Sequence, residues 1–218
     1  MPTLLIASRN AHKAGEIGAI LGDEFIILTL ATFPDAPPVI EDGDSFAANA
    51  TKKSREIATW LENQALGQAL PDYILADDSG LEVDALGGAP GIHSARYASG
   101  EKQGNATDAD NNAKLLREMV DVPEADRGAQ FRCVLALTPL VQAVCTELFE
   151  GICRGRISQA EAGGGGFGYD PLFIPDGYTQ SFAELGSATK NTLSHRAKAL
   201  ANLAAFFERT QISRIIKS

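Results

Sequence analysis

The chain has 218 residues, and 19 lysines and arginines against 28 aspartates and glutamates give it a formal net charge of −9. A general nucleic-acid-binding surface needs a basic footprint to neutralise phosphates, so this charge excludes such a function, and any polyanion must meet locally concentrated positive charge. With 44% hydrophobic and 22% charged residues, the composition is that of a globular protein. The length suits one domain covering residues 1–218, or two closely packed lobes.

The apolar segments carry no targeting or membrane signal. Residues 1–8 lack the basic and apolar regions of a secretory signal. The most apolar window, residues 133–145, is interrupted by polar residues and falls short of the roughly 20 residues that a membrane span needs. The three cysteines have no C-x-x-C spacing, which favours reduced thiols over disulfides or a zinc site. We therefore expect a cytoplasmic protein with no membrane partner.

Strands and helices alternate in the first half of the chain. Residues 4–7 form a short apolar run typical of a strand, and residues 10–21 have apolar residues at helical spacing. Residues 25–30 predict a second strand, followed by a proline-rich loop at 33–38. Ser45 is a helix-capping residue, and it predicts a helix that runs to about residue 64.

The second half begins with an apolar strand at residues 73–76, which leads into an acidic segment at 77–80 that we interpret as a turn between two strands. The remaining predicted elements are a glycine-proline loop at 87–91, a helix at 108–120, successive antiparallel strands within 131–157, a glycine-rich loop at 163–168, a short strand at 172–174 and a helix capped by Ser194. This alternation predicts an α/β protein with a mixed sheet.

Two predicted helices begin with basic residues. Arg9, His12 and Lys13 stand at the first helix start, and His195 and Arg196 follow Ser194 at the last. A helix N-terminus carries a partial positive charge, so cations are mildly unfavourable there. The simpler interpretation is a solvated basic turn without a ligand. However, basic helix starts occur twice in an acidic protein, which favours binding of a multiply charged anion such as a phosphate chain at both.

Asp77 and Asp78 are adjacent carboxylates at the end of a predicted buried strand, with Glu41 upstream. Such a pair is tolerated where a cation or a hydrogen-bonded turn absorbs the charge. If a cation does so, Mg²⁺ fits the oxygen ligands better than zinc, since no pair of histidines at ligand spacing accompanies them. A plain turn without metal is the alternative.

The glycine-rich loop at residues 163–168 matches G-x-G-x-x-G, but a proline and a predicted strand follow where a dinucleotide-binding fold needs a helix. The sequence also contains no P-loop motif. Glycines still allow a planar ring to approach the backbone, so Phe167 or Tyr169 could stack on a base while Asp170 accepts a hydrogen bond. A flexible surface loop is the alternative.

Taken together, the sequence resembles the inosine triphosphate pyrophosphatase family of the Ham1/RdgB type. Six motifs stand in the family's order and span nearly the whole chain: Ser8-x-Asn10-x-x-Lys13, Glu41-x-Gly43 leading to Phe46-x-x-Asn49-Ala50, Ala76-Asp77-Asp78-Ser79-Gly80-Leu81, Gly91-x-x-Ser94-Ala95-Arg96-Tyr97, Phe167-Gly168-Tyr169-Asp170-Pro171 and Ser194-His195-Arg196.

The resemblance implies an elongated mixed β-sheet flanked by helices, with two lobes around a central cleft, usually in a homodimer. It implies Mg²⁺-dependent hydrolysis of ITP, dITP or XTP to the monophosphate and pyrophosphate. Asp78 would be the catalytic proton acceptor and, with Glu41, a metal ligand. The implied substrate-binding residues are Ser8, Arg9, Asn10, Ala11, His12, Lys13 and Lys53 for the triphosphate, and Ser79, Phe167, Gly168, Tyr169, Asp170, Lys190, His195 and Arg196 for the nucleoside, the last three recognising a 6-keto purine.

Two residues depart from the family pattern. Ile40 stands where some members have an acidic residue, and His93 stands where a tyrosine is common. Two other functions stay open. One is a pyrophosphatase of related fold that prefers modified pyrimidine nucleotides, and the other is a nucleotide-binding module without turnover. An aspartyl phosphate mechanism is disfavoured, because the acidic segment lacks the D-x-D spacing of a nucleophile and a separate acid.

Overall fold

The chain folds as a six-stranded mixed sheet with helices, as predicted. The computed structural model describes residues 1–64, 70–99, 104–142 and 145–217. The strands are β1 (Thr3–Ile6), β2 (Ile26–Thr29), β3 (Tyr73–Val83), β4 (Gly128–Pro139), β5 (Glu147–Ile157) and β6 (Phe173–Pro175), in the order β2-β1-β3-β4-β5-β6. Strand β1 pairs in parallel with β2 and β3, whereas β5 and β6 are antiparallel.

Within the described part of the chain, five α-helices accompany the sheet, and one of several short 3-10 helices spans Gly91–Arg96. The α-helices are α1 (Ala11–Leu21), α2 (Phe46–Glu62), α3 (Asp108–Glu118), α4 (Phe182–Leu193) and α5 (His195–Lys217). Among the described residues, none of these helices combines the length and apolar character needed to cross a membrane.

The chain divides into two compact units, whose boundaries fall inside β3, β4 and β5 and after the first residue of α5. The first unit comprises Met1–Asp78, Cys133–Gly151 and Arg196–Ser218, and the second comprises Ser79–Arg132 and Ile152–His195. The chain therefore passes between the units four times. The expectation of a single domain with two lobes stays a prediction.

The first unit buries both faces of β1. Leu4 and Ile6 pack in one apolar cluster with residues of α1 and α5, whereas Leu5 packs in another with Ile57 and Leu61 of α2. A strand covered on both faces is apolar at consecutive positions rather than alternate ones. This explains why residues 4–7 read as one continuous apolar run.

The second unit has an aromatic core. The rings of Phe131 and Phe173 have centroids 4.7 Å apart, and Phe182 packs against both. Tyr169 and Leu115 belong to the same buried cluster. Residues from α3, α4 and the four strands β3, β4, β5 and β6 therefore share this core.

One predicted element is wrong, and another was not predicted. Residues 77–80 do not form a turn but continue β3, since nearby cations compensate their charges within the fold. Helix α4 was missed, although Ser181 and Glu184 form a capping box in which each side chain accepts a backbone N–H from the other residue. This S-x-x-E spacing is visible in the sequence. The connection between α2 and β3 lies partly outside the described residues.

Arg127 stabilises the second unit through main-chain oxygens. Its side chain is buried, and its guanidinium donates to the carbonyls of Met119, Ile157 and Ser158 at 2.7–2.9 Å. We expect Arg127→Met to lower the free energy of unfolding by about 2–4 kcal/mol, because buried carbonyls lose their donors. Urea unfolding followed by circular dichroism measures this loss.

Arg154→Met is the matched control. Arg154 pairs with Asp84 at 2.6 Å, but both side chains are about half exposed. An exposed ion pair contributes at most about 1 kcal/mol. Equal losses in the two variants would contradict the role assigned to Arg127.

Candidate functional site

A buried aspartate joins three elements of the first unit. Asp77 lies in β3 and is 1% exposed. Its Oδ1 accepts a hydrogen bond from Lys13 Nζ of α1 at 2.6 Å, and its Oδ2 accepts one from Arg196 Nε of α5 at 2.9 Å. The Cys133 thiol of β4 also donates to Oδ2 at 3.2 Å. Both carboxylate oxygens therefore have donors inside the fold.

Arg196 is held between two carboxylates. Besides its bond to Asp77, its Nη1 donates to Glu16 of α1. The guanidinium is almost completely buried. A buried cation needs such partners, since its desolvation is otherwise very costly. In this arrangement, Arg196 connects the start of α5 to α1 and β3.

Asp78, the next residue of β3, contacts a different helix. Its Oδ2 accepts a hydrogen bond from Asn49 Nδ2 at 3.1 Å, and its Oδ1 lies 3.5 Å from Lys53 Nζ. Asn49 and Lys53 are four residues apart on α2, so they share one face of that helix. Lys53 Nζ also donates to Glu41 Oε1 at 3.0 Å and to the main-chain oxygen of Asp77 at 2.7 Å.

The two aspartates have opposite pKa shifts. Burial alone would raise the pKa of Asp77, but Arg196 and Lys13 outweigh it and hold that pKa well below the ordinary value. Burial raises the pKa of Asp78, and the nearby Glu41 adds to the rise, while Lys53 and Lys13 only partly oppose it. Asp77 is therefore a fixed anion, and Asp78 is the more basic carboxylate.

Glu41 and Asp78 could hold a metal ion together. Both carboxylates approach the same ammonium group, Lys53 Nζ, within 3.5 Å, so they face a common point. Among the described residues, no group of three or more His, Cys, Asp or Glu is arranged for a metal. Mg²⁺ commonly uses one or two protein carboxylates together with substrate phosphates. The donor set fits that mode of binding.

At the start of α1, several residues predicted to bind the triphosphate make hydrogen bonds within the protein. Asn10 Oδ1 caps α1 by accepting the N–H groups of His12 and Lys13, and Ser8 Oγ accepts the N–H of Asn10. Arg9 donates to the carbonyl of Ala36 at 2.6 Å in the proline-rich segment. Of the predicted triphosphate-binding residues, the structure brings Lys13 and Lys53 to the two aspartates. Ala11 and His12 lie exposed in the first turn of α1.

A second group of predicted site residues lies in the second unit. Asp170 and Lys190 form a buried ion pair of 2.6 Å, and Asp170 Oδ2 also accepts the N–H of Phe167 at 2.9 Å. The Lys190 ammonium lies 4.4 Å from the centroid of the Phe167 ring. Gly166 has φ +75°, and a Cβ there would lie 2.1 Å from Asp170 Oδ2, so only glycine fits.

The other predicted nucleoside-binding residues have structural contacts of their own. Tyr169 is buried, and its hydroxyl donates to the carbonyl of Ser94 at 2.9 Å. The His195 ring stacks on Phe131 with centroids 4.8 Å apart. Ser79 is partly buried in β3. Of the two side chains predicted to stack on a base, the half-buried Phe167 is more exposed than the buried Tyr169.

Sequence reasoning missed three residues that contact the aspartates or Arg196. Glu16, Asn49 and Cys133 contact Arg196, Asp78 and Asp77, respectively. The i, i+4 spacing of Asn49 and Lys53 could have indicated the contact of Asn49 with Asp78. No local pattern indicates the other two. The departures at Ile40 and His93 both lie at exposed positions.

Comparison with known proteins gives consistent matches over most of the chain. The Ham1 family profile matches residues 4–206. A dITP/XTP pyrophosphatase of Pseudomonas aeruginosa is 49% identical over 200 residues, which cover 92% of this chain and 94% of that protein. Another dITP/XTP pyrophosphatase, from Rhodopirellula baltica, is 47% identical over 199 residues, with 90% and 88% coverage. The solved Ham1 protein of Staphylococcus aureus has a TM-score of 0.79 at 35% identity, covering 95% of this chain and 99% of its own.

The opposite pKa shifts predict opposite effects on stability at neutral pH. Asp77→Asn should lower the free energy of unfolding by about 3–5 kcal/mol, because it leaves buried cations unpaired. Asp78→Asn should leave the protein as stable or make it more stable, because it removes a carboxylate whose ionisation opposes folding. Thermal unfolding at pH 7 compares the two variants.

The pH dependence provides the control. A lowered pKa contributes stability above the unfolded-state value, about 3.9 for aspartate, and this contribution disappears as the pH falls toward the folded-state pKa. The deficit of Asp77→Asn relative to the unmodified protein should therefore shrink below about pH 4. A deficit that is the same at every pH would contradict the assignment.

Proposed function

The chain belongs to the Ham1 family, and we propose that it hydrolyses non-standard purine nucleoside triphosphates, namely ITP, dITP or XTP, to the monophosphate and pyrophosphate. The observation that carries the proposal is a buried carboxylate of raised pKa, Asp78, beside Lys53 and Glu41. The printed names of several relatives, dITP/XTP pyrophosphatase, support the substrate class.

Asp78 acts as the proton acceptor in this proposal. A general base needs a pKa moved toward the working pH, and burial moves the pKa of Asp78 in that direction. The hydrogen bond from Asn49 orients the carboxylate. Asp78 takes a proton from a water molecule while the oxygen of that water bonds to the α-phosphorus. The bond from the α-phosphorus to the oxygen that bridges to the β-phosphorus breaks, which releases pyrophosphate.

Cations neutralise the charge that develops on the phosphates. Lys13 and Lys53 supply two ammonium groups beside the aspartates, and positioning with electrostatic stabilisation is the main source of rate in phosphoryl chemistry. Glu41 and Asp78 would hold Mg²⁺, which when bound supplies further positive charge to the phosphate oxygens. Asp77 holds Lys13 and Arg196 in place.

The loop of residues 167–170 and Lys190 bind the nucleobase in this proposal. The Phe167 ring offers a stacking surface, and the buried pair of Asp170 and Lys190 offers an acceptor and a donor. A 6-keto oxygen can accept from such a donor, whereas a 6-amino group would leave it unpaired. A site built on hydrogen bonds can reject an analogue strongly for this reason.

The proposal also includes a homodimer and a cytoplasmic location. The homodimer is the assembly that the family resemblance implies. All three cysteines, Cys133, Cys145 and Cys153, are free thiols, which fits a reducing compartment.

Asp78→Asn tests the proposed chemistry. We expect the unmodified protein with Mg²⁺ to convert ITP to IMP and pyrophosphate. Asp78→Asn should lose about 100-fold or more in kcat while still binding ITP, because it lacks the base and one metal ligand but keeps Lys13, Lys53 and the nucleobase-binding residues. Chromatography of the products and calorimetric titration of ITP measure the two effects. Near-normal turnover would contradict the role of Asp78.

Asp42→Asn is the control, because this carboxylate is exposed and pairs with Lys52 outside the site. It should keep normal turnover. Release of phosphate rather than pyrophosphate, or a preference for modified pyrimidine triphosphates, would refute the proposed reaction. Binding of ITP by the unmodified protein without any turnover would indicate a binding module.

Lys190→Gln tests base recognition. Glutamine can still donate to Asp170, but it removes the ammonium beside Phe167, so the ratio of kcat/KM for ITP over ATP should fall about 10-fold. Lys114→Gln is the matched control, since Lys114 also lies over an aromatic ring, 4.1 Å from the centroid of Tyr97. Steady-state kinetics with both nucleotides decide the test. An unchanged ratio in Lys190→Gln would remove Lys190 from base recognition.

A further inference from the structure

Helix α3 holds the loop of residues 167–170 by two side chains that the proposed mechanism does not use. Asp108 Oδ2 accepts the N–H of Gly168 at 2.6 Å, and Asn112 Nδ2 donates to the carbonyl of Gly168 at 3.1 Å. We propose that Asp108 and Asn112 are positioning residues that set the affinity for the nucleobase through this loop. This inference rests on the proposed function.

The two hydrogen bonds fix the backbone on both sides of Gly168. Its N–H belongs to the peptide shared with Phe167, and its carbonyl belongs to the peptide shared with Tyr169. Gly168 has φ +62°, a conformation that other residues rarely adopt. Glycine adopts this conformation without a steric penalty but has others open to it, so holding both peptides restricts the loop to one of them.

Phe167 depends most directly on this support. Its N–H donates to Asp170, and its ring lies under the Lys190 ammonium, so its orientation decides where a base could stack. Tyr169 has an independent anchor through the carbonyl of Ser94. Without the bonds from α3, the side of the loop that carries Phe167 would lose its contact with the helix.

The buried amide of Asn112 does not increase the stability of the fold as an apolar side chain would. The side chain is 2% exposed, and its Oδ1 has no hydrogen-bond partner among the residues that the structure describes. A buried acceptor without a partner opposes folding, so an apolar residue would suit the site better if packing were its only role. The hydrogen bond from Asn112 to the Gly168 carbonyl is the contact that an apolar side chain at this position could not make.

The same helix supplies matched controls. Asn111 is also 2% exposed, but it accepts the N–H of Ala98 and donates to the carbonyl of Ala95 instead of holding the loop. Asp110 lies in the same first turn as Asp108 and accepts from the Thr107 hydroxyl. Asn111→Leu and Asp110→Ala therefore remove a buried amide and a charge at the helix start, as the test variants do, without touching Gly168.

The test compares two probes in the presence of Mg²⁺: inosine α,β-methylene triphosphate, which carries the base, and inorganic tripolyphosphate, which does not. Calorimetric titration should show roughly 10-fold weaker binding of the inosine probe to Asn112→Leu and Asp108→Ala, the factor for one lost hydrogen bond to the loop. Binding of tripolyphosphate should change less than about 2-fold. With ITP, KM should rise while kcat stays nearly constant.

Unchanged binding of the inosine probe, or an equal loss for both probes, would overturn the inference, as would similar losses in the control variants. If circular dichroism shows that Asn112→Leu is unfolded, the comparison of Asp108→Ala with Asp110→Ala decides the question alone. An unmodified protein that binds neither probe would refute the proposed function itself. Normal binding by the unmodified protein with unaffected variants would refute only the role of α3.

Discussion

The charge compensation of Asp77 is the interaction on which the first unit depends. Its two carboxylate oxygens accept from Lys13 of α1, Arg196 of α5 and Cys133 of β4, so one side chain connects three elements to β3. A buried carboxylate without these donors would oppose folding strongly. The same contacts place Lys13 beside the residue that carries the proposed chemistry.

The alternation of a β-strand gives the neighbouring aspartates different environments. Tyr73 and Leu75 pack with the cluster of α1 and α5, and Ile74 and Ala76 pack with the cluster of α2. Successive side chains point to opposite faces, so Asp77 follows the first pair and Asp78 the second. On one face, three donors stabilise the ionised carboxylate of Asp77. On the other face, burial and the nearby Glu41 disfavour ionisation of Asp78.

The second unit has a different organisation, in which one helix face and one ion pair hold a glycine-rich loop. Gly166 leaves room for Asp170, Lys190 neutralises that carboxylate, and α3 holds Gly168. Few of these contacts are between apolar groups. Hydrogen bonds and an ion pair therefore hold this loop, although its glycine-rich sequence resembles that of a flexible linker.

The sequence by itself determined the mixed α/β fold, most of the strands and helices, and the residues of the six motifs, because hydrophobic periodicity and capping residues are local signals. It could not determine that residues 77–80 continue a strand, nor which cation meets which carboxylate. Lys13 and Arg196 are 64 and 119 residues from Asp77, and only the tertiary structure brings them together. Charge pairing across such separations decides that Asp77 supports the fold while Asp78 is left as the basic carboxylate.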